Sequence, residues 1–326
     1  MNLTVIILNW NGTKDTKECL QSLQKQTDQN FSTIVLDNGS IDKSIEYLEK
    51  EFPFVTWIFN PQNDGFAKGN NIAILKAIEQ GSDAVFLLNN DTVLDEKCIE
   101  VLKNCFIKNQ NVLYGCQVRN YFQKDLLDHI GGIFNLSTLN FDLIGKNCHH
   151  ENFIKDNFKL DYLSGCSLLI PTHVFSSIGF LDERFFLIWE EADFCIRAKR
   201  NNFSLEYAPE AIIYHKVSQS FQGKAHQHYF WWRNRLLFLK KHSDFISKTK
   251  QKLHLGFEVL KLVRHYISKS IQYFFSNNEK KQLLINKIDA HKASIRGVLD
   301  FFDGKFGAAP TCIFKKRCEK RYQKNQ

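Results

Sequence analysis

The most chemically suggestive residue of this chain is an aspartate that follows a buried apolar run. Residues 84–88 are apolar without alternation, which is typical of a strand covered on both faces of a parallel sheet, and Asn89, Asn90 and Asp91 follow. Ligands bind outside the carboxyl ends of such strands. A carboxylate there suits a divalent cation, Mg²⁺ or Mn²⁺, that also carries substrate phosphates. Asn and Asp also favour ordinary turns, so other residues must decide between the two interpretations.

A second acidic cluster contains Glu190, Glu191 and Asp193. Neighbouring carboxylates repel, which raises the pKa of one of them in a cleft toward the range of a general base. The alternative is a helix start, where acids suit the positive end of the dipole. Asp193 lies four residues before Arg197 and is predicted to pair with it. Glu190 and Glu191 therefore remain as the chemical candidates.

Three later residues are candidates for binding roles. His215 ends an apolar stretch and is a candidate second metal ligand, since imidazole suits Mn²⁺; a structural histidine is the alternative. Arg233 and Arg235 have guanidinium groups that match diphosphate oxygens. Their alternative role is an exposed basic helix face.

The elements that must position these residues alternate in type along the first third of the chain. Apolar strands are predicted at residues 3–8, 33–36, 55–59 and 84–88, with amphipathic helices between them. This alternation predicts an α/β fold with a doubly wound, mostly parallel sheet and helices on both faces. Asp37 ends a strand and is expected either to contact a ribose or base, or to cap its turn. The glycine pattern fits neither a dinucleotide fingerprint nor a P-loop.

The second half of the chain is less regular. Residues 110–165 give no clear pattern, whereas a strand is predicted at 164–171, a helix at 191–200, and two short strands at 205–207 and 212–215. An aromatic and basic helix begins near residue 225.

Charge is unevenly distributed over the chain. Residues 1–239 hold 23 Lys/Arg and 28 Asp/Glu, whereas residues 240–326 hold 20 and 7. The basic tail predicts contact with an anionic surface, and residues 253–275 form an amphipathic pattern that favours the inner leaflet of a membrane. A helix packed on the front part of the chain or on a second subunit is the alternative, so an oligomer stays open. No nucleic acid is expected as partner, because the front part is acidic and lacks any nucleic-acid motif.

The sequence features that bear on location favour the cytoplasm. The nine cysteines are scattered without a C-x-x-C pair, which favours free thiols in a reducing compartment. We find no signal-peptide pattern and no apolar run long enough to span a membrane. We therefore expect a cytoplasmic protein, peripheral on the inner face of the cytoplasmic membrane.

Taken in order, these motifs resemble the family 2 glycosyltransferases of GT-A fold, and most closely the rhamnosyltransferase-like branch that builds bacterial surface polysaccharides. The resemblance covers about residues 3–240, so a glycosyltransferase domain is expected over 1–240, with a nucleotide-binding half (1–108) and an acceptor-binding half (109–240). A helical basic C-terminal extension would occupy 241–326. The matching segments are Val5-Ile6-Ile7-Leu8-Asn9-Trp10-Asn11-Gly12, Leu36-Asp37-Asn38-Gly39-Ser40, residues 63–71, Leu87-Leu88-Asn89-Asn90-Asp91-Thr92, Ser164-Gly165-Cys166, Gly179-Phe180-Leu181-Asp182-Glu183, Glu190-Glu191-Ala192-Asp193, Tyr214-His215-Lys216 and Arg233-Asn234-Arg235.

The resemblance implies a role for each matching position. Asp91 would be the metal-binding acid of a D-x-D-type motif whose first acid is here Asn89, with His215 as second ligand. Glu191 would be the catalytic base, with Glu190 as the runner-up. Residues that would bind the nucleotide-sugar are Asn9, Trp10, Asn11, Asp37, Asn38, Lys68, Asn71, Asn90, Arg233 and Arg235; those that would bind the acceptor are Gly165, Cys166 and Trp189.

The implied activity is an inverting, metal-dependent transfer of a hexose, rhamnose among the candidates, from a nucleotide-sugar to a glycan or lipid-linked glycan acceptor. Two other classes remain open. A nucleotidyltransferase would use a similar fold and metal, but residues 9–17 lack its glycine- and lysine-rich loop. A non-catalytic glycan- or lipid-binding relative also stays open, because the first acid of the D-x-D-type motif is here Asn89.

Overall fold

The structure is a computed structural model that describes residues 1–42, 44–153, 158–216, 224–243 and 248–311. Its strands are β1 (Leu3–Asn9), β2 (Ser32–Asn38), β3 (Val55–Asn60), β4 (Ala84–Asn89), β5 (Thr92–Leu94), β6 (Val112–Asn120), β7 (Leu127–His129), β8 (Gly132–Asn135), β9 (Asn140–Leu143), β10 (Ser167–Pro171) and β11 (Ser204–His215). Its helices are α1 (Thr13–Gln24), α2 (Ser44–Glu51), α3 (Gly65–Glu79), α4 (Cys98–Lys108), α5 (Thr172–Ile178), α6 (Glu190–Arg200), α7 (Lys224–Lys241), α8 (Lys248–Phe274) and α9 (Asn278–Phe302).

The first half of the main sheet is parallel, as the alternation of strands and helices predicts. Its strands lie in the order β3-β2-β1-β4, and all their pairs are parallel. Asn9 at the end of β1 is in register with Asp37 at the end of β2. The polar residues that follow these strands therefore share one edge of the sheet, which is where ligands bind in such folds.

The second half of the sheet mixes strand directions. β10 runs antiparallel between β4 and β6, β11 is parallel to β6, and β5 is antiparallel to β11 at the edge. The two short strands predicted at 205–207 and 212–215 are one strand, β11, whose register shifts between Ala208 and Ile212. This bulge delivers His215 beside Thr92, the residue that follows Asp91.

Helices cover both faces of the sheet because side chains of the buried strands alternate between them. Val5 and Ile7 of β1 pack with Leu20 of α1 on one face, together with side chains of α2 and α4. Ile6 faces the other way and packs with Ile74 of α3, α5 and α6. The predicted doubly wound α/β arrangement is therefore confirmed for the parallel half.

The chain divides into two compact units, residues 1–183 with 190–219, and residues 184–189 with 220–326. The division falls near residue 220 rather than at the expected 240, so α7 groups with the C-terminal helices. Within this second unit a Cβ on Gly297 would lie 2.4 Å from the carbonyl oxygen of Tyr229, so α9 crosses α7 at a distance that only glycine permits. No helix in the described ranges is both long and apolar enough to cross a membrane.

Candidate active site

A hydrogen-bonded turn joins the ends of β1 and β2. The buried Asn9 amide donates to Asp37 Oδ1 at 2.9 Å, and Asn9 Oδ1 accepts from the Thr16 hydroxyl at 2.7 Å. The Ser40 hydroxyl donates to Asp37, and its oxygen accepts from the Asn11 backbone N–H at 2.8 Å. These contacts fix the Asp37 carboxylate at the carboxyl edge of the parallel strands.

The remaining residues of this edge lie beside that turn. Asn11 has a φ of 52°, and its side-chain oxygen accepts from the Ile41 N–H at 2.8 Å. Trp10 is half-buried. The Asn90 amide donates to the Thr16 hydroxyl at 3.1 Å, so residues after β4 and in α1 meet at the same place.

Two residues predicted to bind the nucleotide-sugar, Asn38 and Asn71, form hydrogen bonds to the backbone of neighbouring segments. Asn38 is buried; its amide donates to the Gly65 carbonyl at 3.0 Å, and its oxygen accepts from the Asp64 N–H at 3.1 Å. Asn71 donates to the Leu181 carbonyl at 2.9 Å and accepts from the Leu181 N–H at 3.1 Å. The hydrogen-bonding groups of both amides are therefore engaged with backbone, and the geometry favours structural roles for them.

Lys68 differs from these asparagines because its ammonium is accessible. It lies 2.9 Å from Asp64 Oδ2, one helical turn earlier, and its side chain is 43% exposed. Hydrogen bonding to that carboxylate raises the pKa of Lys68. Lys68 is therefore a cation that solvent can reach.

Asp91 and His215 meet where β4 and β11 end. Asp91 Oδ1 is buried and lies 3.3 Å from His215 Nε2, yet no described residue hydrogen-bonds it with good geometry. Two neighbouring ligands of one six-coordinate ion lie about 3 Å apart when each metal bond is about 2.1 Å long. A buried carboxylate oxygen that faces an imidazole nitrogen at this separation, without another described partner, fits a shared divalent cation.

Asp128, on β7, holds the other nitrogen of His215. Its Oδ2 lies 3.4 Å from His215 Nδ1 and 3.5 Å from His129 Nδ1. A carboxylate behind a histidine fixes the tautomer that presents the opposite nitrogen to a metal. Burial lowers the pKa of His215, but Cys166, Asp128 and Asp91 outweigh it and raise that pKa to about 11. A bound cation would therefore have to displace a proton.

The number of protein ligands here is small. The described residues contain no group of three or more His, Cys, Asp or Glu side chains arranged around one metal position. A cation held by Asp91 and His215 would need phosphate or water oxygens to complete its shell. Magnesium-like ions in phosphate-binding sites commonly bind in this way, through one or two protein ligands plus the substrate.

Glu191, in the first turn of α6, has the environment of a general base. The Tyr162 hydroxyl donates to its Oε1 at 3.2 Å, while Oε2 is buried and no described residue hydrogen-bonds it. Burial raises the pKa of Glu191, opposed by backbone N–H groups and the Tyr162 hydroxyl. A Cβ on Gly165 would lie 3.5 Å from Glu191 Cβ, so Gly165 lies directly beside the Glu191 side chain.

The neighbouring acids have other environments. Glu190 is 3% exposed, more deeply buried than Glu191. Asp193 is fully buried and pairs with Arg197 at 2.9 Å, which confirms the predicted i,i+4 ion pair. Asp193 is therefore engaged in an ion pair, which leaves Glu191, with Glu190 as the runner-up, as the candidate base.

A continuous set of contacts links Glu191 to Asp91 and His215. The Cys166 carbonyl, adjacent to Gly165, accepts from the Asn89 N–H at 3.1 Å, two residues before Asp91. On the other side, the Tyr162 ring stacks on His129, the neighbour of Asp128. The first unit therefore brings Glu191, Gly165, Cys166, Asp91 and His215 into one region.

The other predicted ligands belong to the second unit and are packed inside it. Arg233 is fully buried and donates to the carbonyls of Gly307 and Phe185 at 2.6 and 2.9 Å. Arg235 is 1% exposed and pairs with Glu258 at 2.8 Å. Trp189 is 5% exposed and packs on Trp231 and Phe238. This geometry supports neither an exposed basic face nor a diphosphate clamp for the two arginines, and it favours a packing role for Trp189.

Sequence reasoning missed two residues of the site, Asp128 and Tyr162. Both lie in the irregular stretch 110–165, where short strands give no periodicity. An Asp-His pair at 128–129 before a Gly-Gly turn was the available signal, but nothing in it connects Asp128 with His215, which is 87 residues away.

Comparison with known proteins identifies the class. Residues 4–178, more than half of the chain, match the family model described as Glycosyl transferase family 2. The chain therefore belongs to glycosyl transferase family 2.

Three relatives carry named activities. The low-salt glycan biosynthesis hexosyltransferase Agl10 of Haloferax volcanii is 25% identical over 285 residues, which cover 83% of this chain and 87% of the relative. The dTDP-rhamnosyl transferase RfbF of Shigella flexneri is 21% identical, over 66% and 69% of the two chains. The N-acetylglucosaminyl-diphospho-decaprenol L-rhamnosyltransferase of Mycobacterium tuberculosis is 22% identical, over 67% and 77%.

A solved structure has the same fold over most of the chain. The mannosyltransferase PcManGT from Pyrobaculum calidifontis, in complex with GDP-Man and Mn²⁺, superposes with a TM-score of 0.55 at 12% identity. The match covers 93% of this chain and 87% of that one. The predicted GT-A fold with C-terminal helices is therefore confirmed.

Proposed function

We propose that this chain is an inverting hexosyltransferase, with rhamnose among the candidate sugars, that acts in the synthesis of a bacterial surface polysaccharide such as an O-antigen or capsule. The donor would be a nucleotide-sugar, and the acceptor a glycan or lipid-linked glycan. The observation that carries the proposal is the Glu191 carboxylate, which lies beside Gly165: its Oε1 accepts from Tyr162, and its Oε2 is buried without a hydrogen bond from any described residue. The hexosyl and rhamnosyl transferases among the relatives support the substrate class.

In this reaction Glu191 accepts the proton of the acceptor hydroxyl. The hydroxyl oxygen then forms a bond to the anomeric carbon as the bond from that carbon to the diphosphate oxygen breaks on the opposite face. One displacement inverts the centre, so no covalent enzyme intermediate is needed. The raised pKa of Glu191 makes its carboxylate a stronger base than an exposed glutamate, and such a base contributes typically 10²–10⁴-fold.

Donor binding is assigned to the shared edge of β1, β2 and β4. Asp37, held by Asn9 and Ser40, would accept hydrogen bonds from the nucleoside, with Trp10 and Asn11 beside it. Asn90 and Lys68 would contact the donor. Asp91 and His215 would hold a divalent cation, Mg²⁺ or Mn²⁺, and Asp128 would orient His215. When bound, the cation would neutralise charge on the diphosphate leaving group.

The acceptor is assigned to the side of Glu191 lined by Gly165 and Cys166. The relative that acts on a diphospho-decaprenol substrate supports a lipid-linked acceptor, and such an acceptor would place the enzyme at the inner face of the cytoplasmic membrane. A donor of the dTDP class is supported by the dTDP-rhamnosyl relative, and a Mn²⁺ requirement by the Mn²⁺-bound structural neighbour.

The test is a donor screen. Purified protein is incubated with Mn²⁺ and a panel of dTDP-, UDP- and GDP-sugars, and released nucleoside diphosphate is measured beside the same panel with Glu191→Gln. We expect one donor to be consumed by the wild type at least about 10²-fold faster than by the variant. Equal consumption by both proteins, or none by either, would count against the proposed activity.

A further inference from the structure

α8 is amphipathic on two sides. Its inner side packs within the second unit, where Leu262 contacts side chains of α7 and α9 such as Trp232 and Val298. Its outer side carries a second apolar row that we call the outer stripe. The residues of the outer stripe, each more than half exposed, are Leu253 (60%), Phe257 (69%), Leu260 (66%), Ile267 (51%), Ile271 (53%) and Phe274 (76%).

The spacing of the outer stripe makes it one straight row. Its members follow one another at intervals of 4, 3, 7, 4 and 3 residues, which keeps them on one face of the helix. From Leu253 to Phe274 the row is about 32 Å long, at about 1.5 Å per residue. Large exposed apolar rows of this size mark a surface that binds a partner.

Charge around the stripe has one sign. The only acidic residue in the sequence of α8, Glu258, is turned toward α7 and pairs with the buried Arg235 at 2.8 Å. Lys252, Lys261 and Arg264 are exposed, and Arg264 occupies the vacant place in the row between Leu260 and Ile267. The outer side of α8 therefore combines apolar and positive groups without a negative one.

This charge pattern decides between occupants. A second copy docked through the same stripe would bring like charges together. Helix pairs are usually supported by salt bridges beside the apolar seam, and α8 offers no exposed acid to form them. An anionic bilayer surface takes both features, since apolar side chains enter its interface while lysine and arginine bind the headgroups. We propose that the outer stripe docks the protein on an anionic lipid surface, with α8 lying in the plane of the leaflet.

This inference rests on the proposed function, which places the enzyme at a membrane surface. Lipid binding is measured without sugar transfer, so lipid docking and the proposed activity can fail separately. The experiment is flotation of the full chain with vesicles of phosphatidylcholine, with and without phosphatidylglycerol. We expect binding that requires phosphatidylglycerol and weakens as salt rises. Phe257→Glu/Ile267→Glu should lower binding more than tenfold, whereas Ile107→Glu, a comparably exposed apolar residue on α4, should leave it unchanged.

A second variant tests the charges. Lys261→Gln/Arg264→Gln removes two basic groups, each worth roughly fivefold in binding, so binding should fall about 25-fold at low salt. If Phe257→Glu/Ile267→Glu has a lowered melting temperature, the result with Lys261→Gln/Arg264→Gln decides whether the outer stripe binds lipid. Flotation of either stripe variant at the wild-type level overturns the proposal, as does a wild type that does not float at low salt. Light scattering that shows a wild-type dimer and a monomeric Phe257→Glu/Ile267→Glu variant, with flotation unchanged, would assign the stripe to a second copy instead.

Discussion

Two substitutions of Asp128, the carboxylate behind His215, should weaken metal binding to different degrees. In Asp128→Asn the side chain keeps its shape and an acceptor oxygen but loses its charge, whereas Asp128→Ala leaves His215 Nδ1 without the acceptor now 3.4 Å away. Loss of such a partner typically costs 10–100-fold in metal affinity. We expect about tenfold for the asparagine and about 100-fold for the alanine, or about 1.4 and 2.7 kcal/mol.

Electron paramagnetic resonance of free Mn²⁺ measures this affinity directly, without donor or acceptor. Asp125→Asn is the matched control, because Asp125 lies three residues away and its side chain is 84% exposed. If Asp128→Ala binds Mn²⁺ with wild-type affinity while Asp91→Ala does not bind it, the orienting role of Asp128 is refuted and the metal assignment of Asp91 is kept. Unchanged binding by Asp91→Ala would remove the metal assignment itself.

Three further predictions concern the base and the helix crossing. Glu191→Gln should lower turnover at least about 10²-fold with donor affinity unchanged by calorimetry, and a dead Glu190→Gln beside an active Glu191→Gln would move the base by one residue. The folded-state pKa of Glu191 lies above its usual 4.5, so ionising this residue lowers the stability of the fold once pH rises above about 4.5. Glu191→Gln should therefore raise the melting temperature near pH 7.5 and not near pH 4. An equal gain at both pH values would contradict this prediction. Gly297→Ala should cost about 1–3 kcal/mol of unfolding free energy by urea titration, since its Cβ would meet the Tyr229 carbonyl, whereas Gly256→Ala on the open side of α8 should stabilise by about 0.5–1 kcal/mol; equal effects would refute the close crossing.

The parallel half of the fold could be predicted because its signals are local. An apolar run of five or six residues, a polar loop and an amphipathic helix repeat several times, and each repeat is one strand and one helix. The same locality places Asn9, Asp37 and Asp91 at strand ends. The mixed half follows from strand pairing over long separations, such as β10 between β4 and β6, which no local pattern encodes.

The candidate site was predictable by residue type and less so by environment. Asp91, His215 and Glu191 were singled out from their positions in the sequence and remain predictions, but whether a side chain is accessible depends on tertiary contacts. Arg233 was expected to be a phosphate ligand or exposed, and the structure buries it against backbone carbonyls. The same sequence pattern, a polar residue in a helix, gives an accessible cation at Lys68 and a loop-holding amide at Asn71.

The bulge in β11 determines where changes in chain length can be tolerated. Ala208 pairs with Cys116 and Ile212 with the next residue of β6, so residues 209–211 are additional to the ladder. An insertion or deletion at residues 209–210 can be absorbed there, because the pairing on either side is set separately, whereas Ala211 is buried in the core. From Ile213 to His215 the strand is paired on both edges, and a change of one residue would shift its register by one. Tyr214 or Lys216 would then occupy the place of His215. The His215 side chain would point to the opposite face of the sheet, because neighbouring side chains of a strand alternate between the two faces.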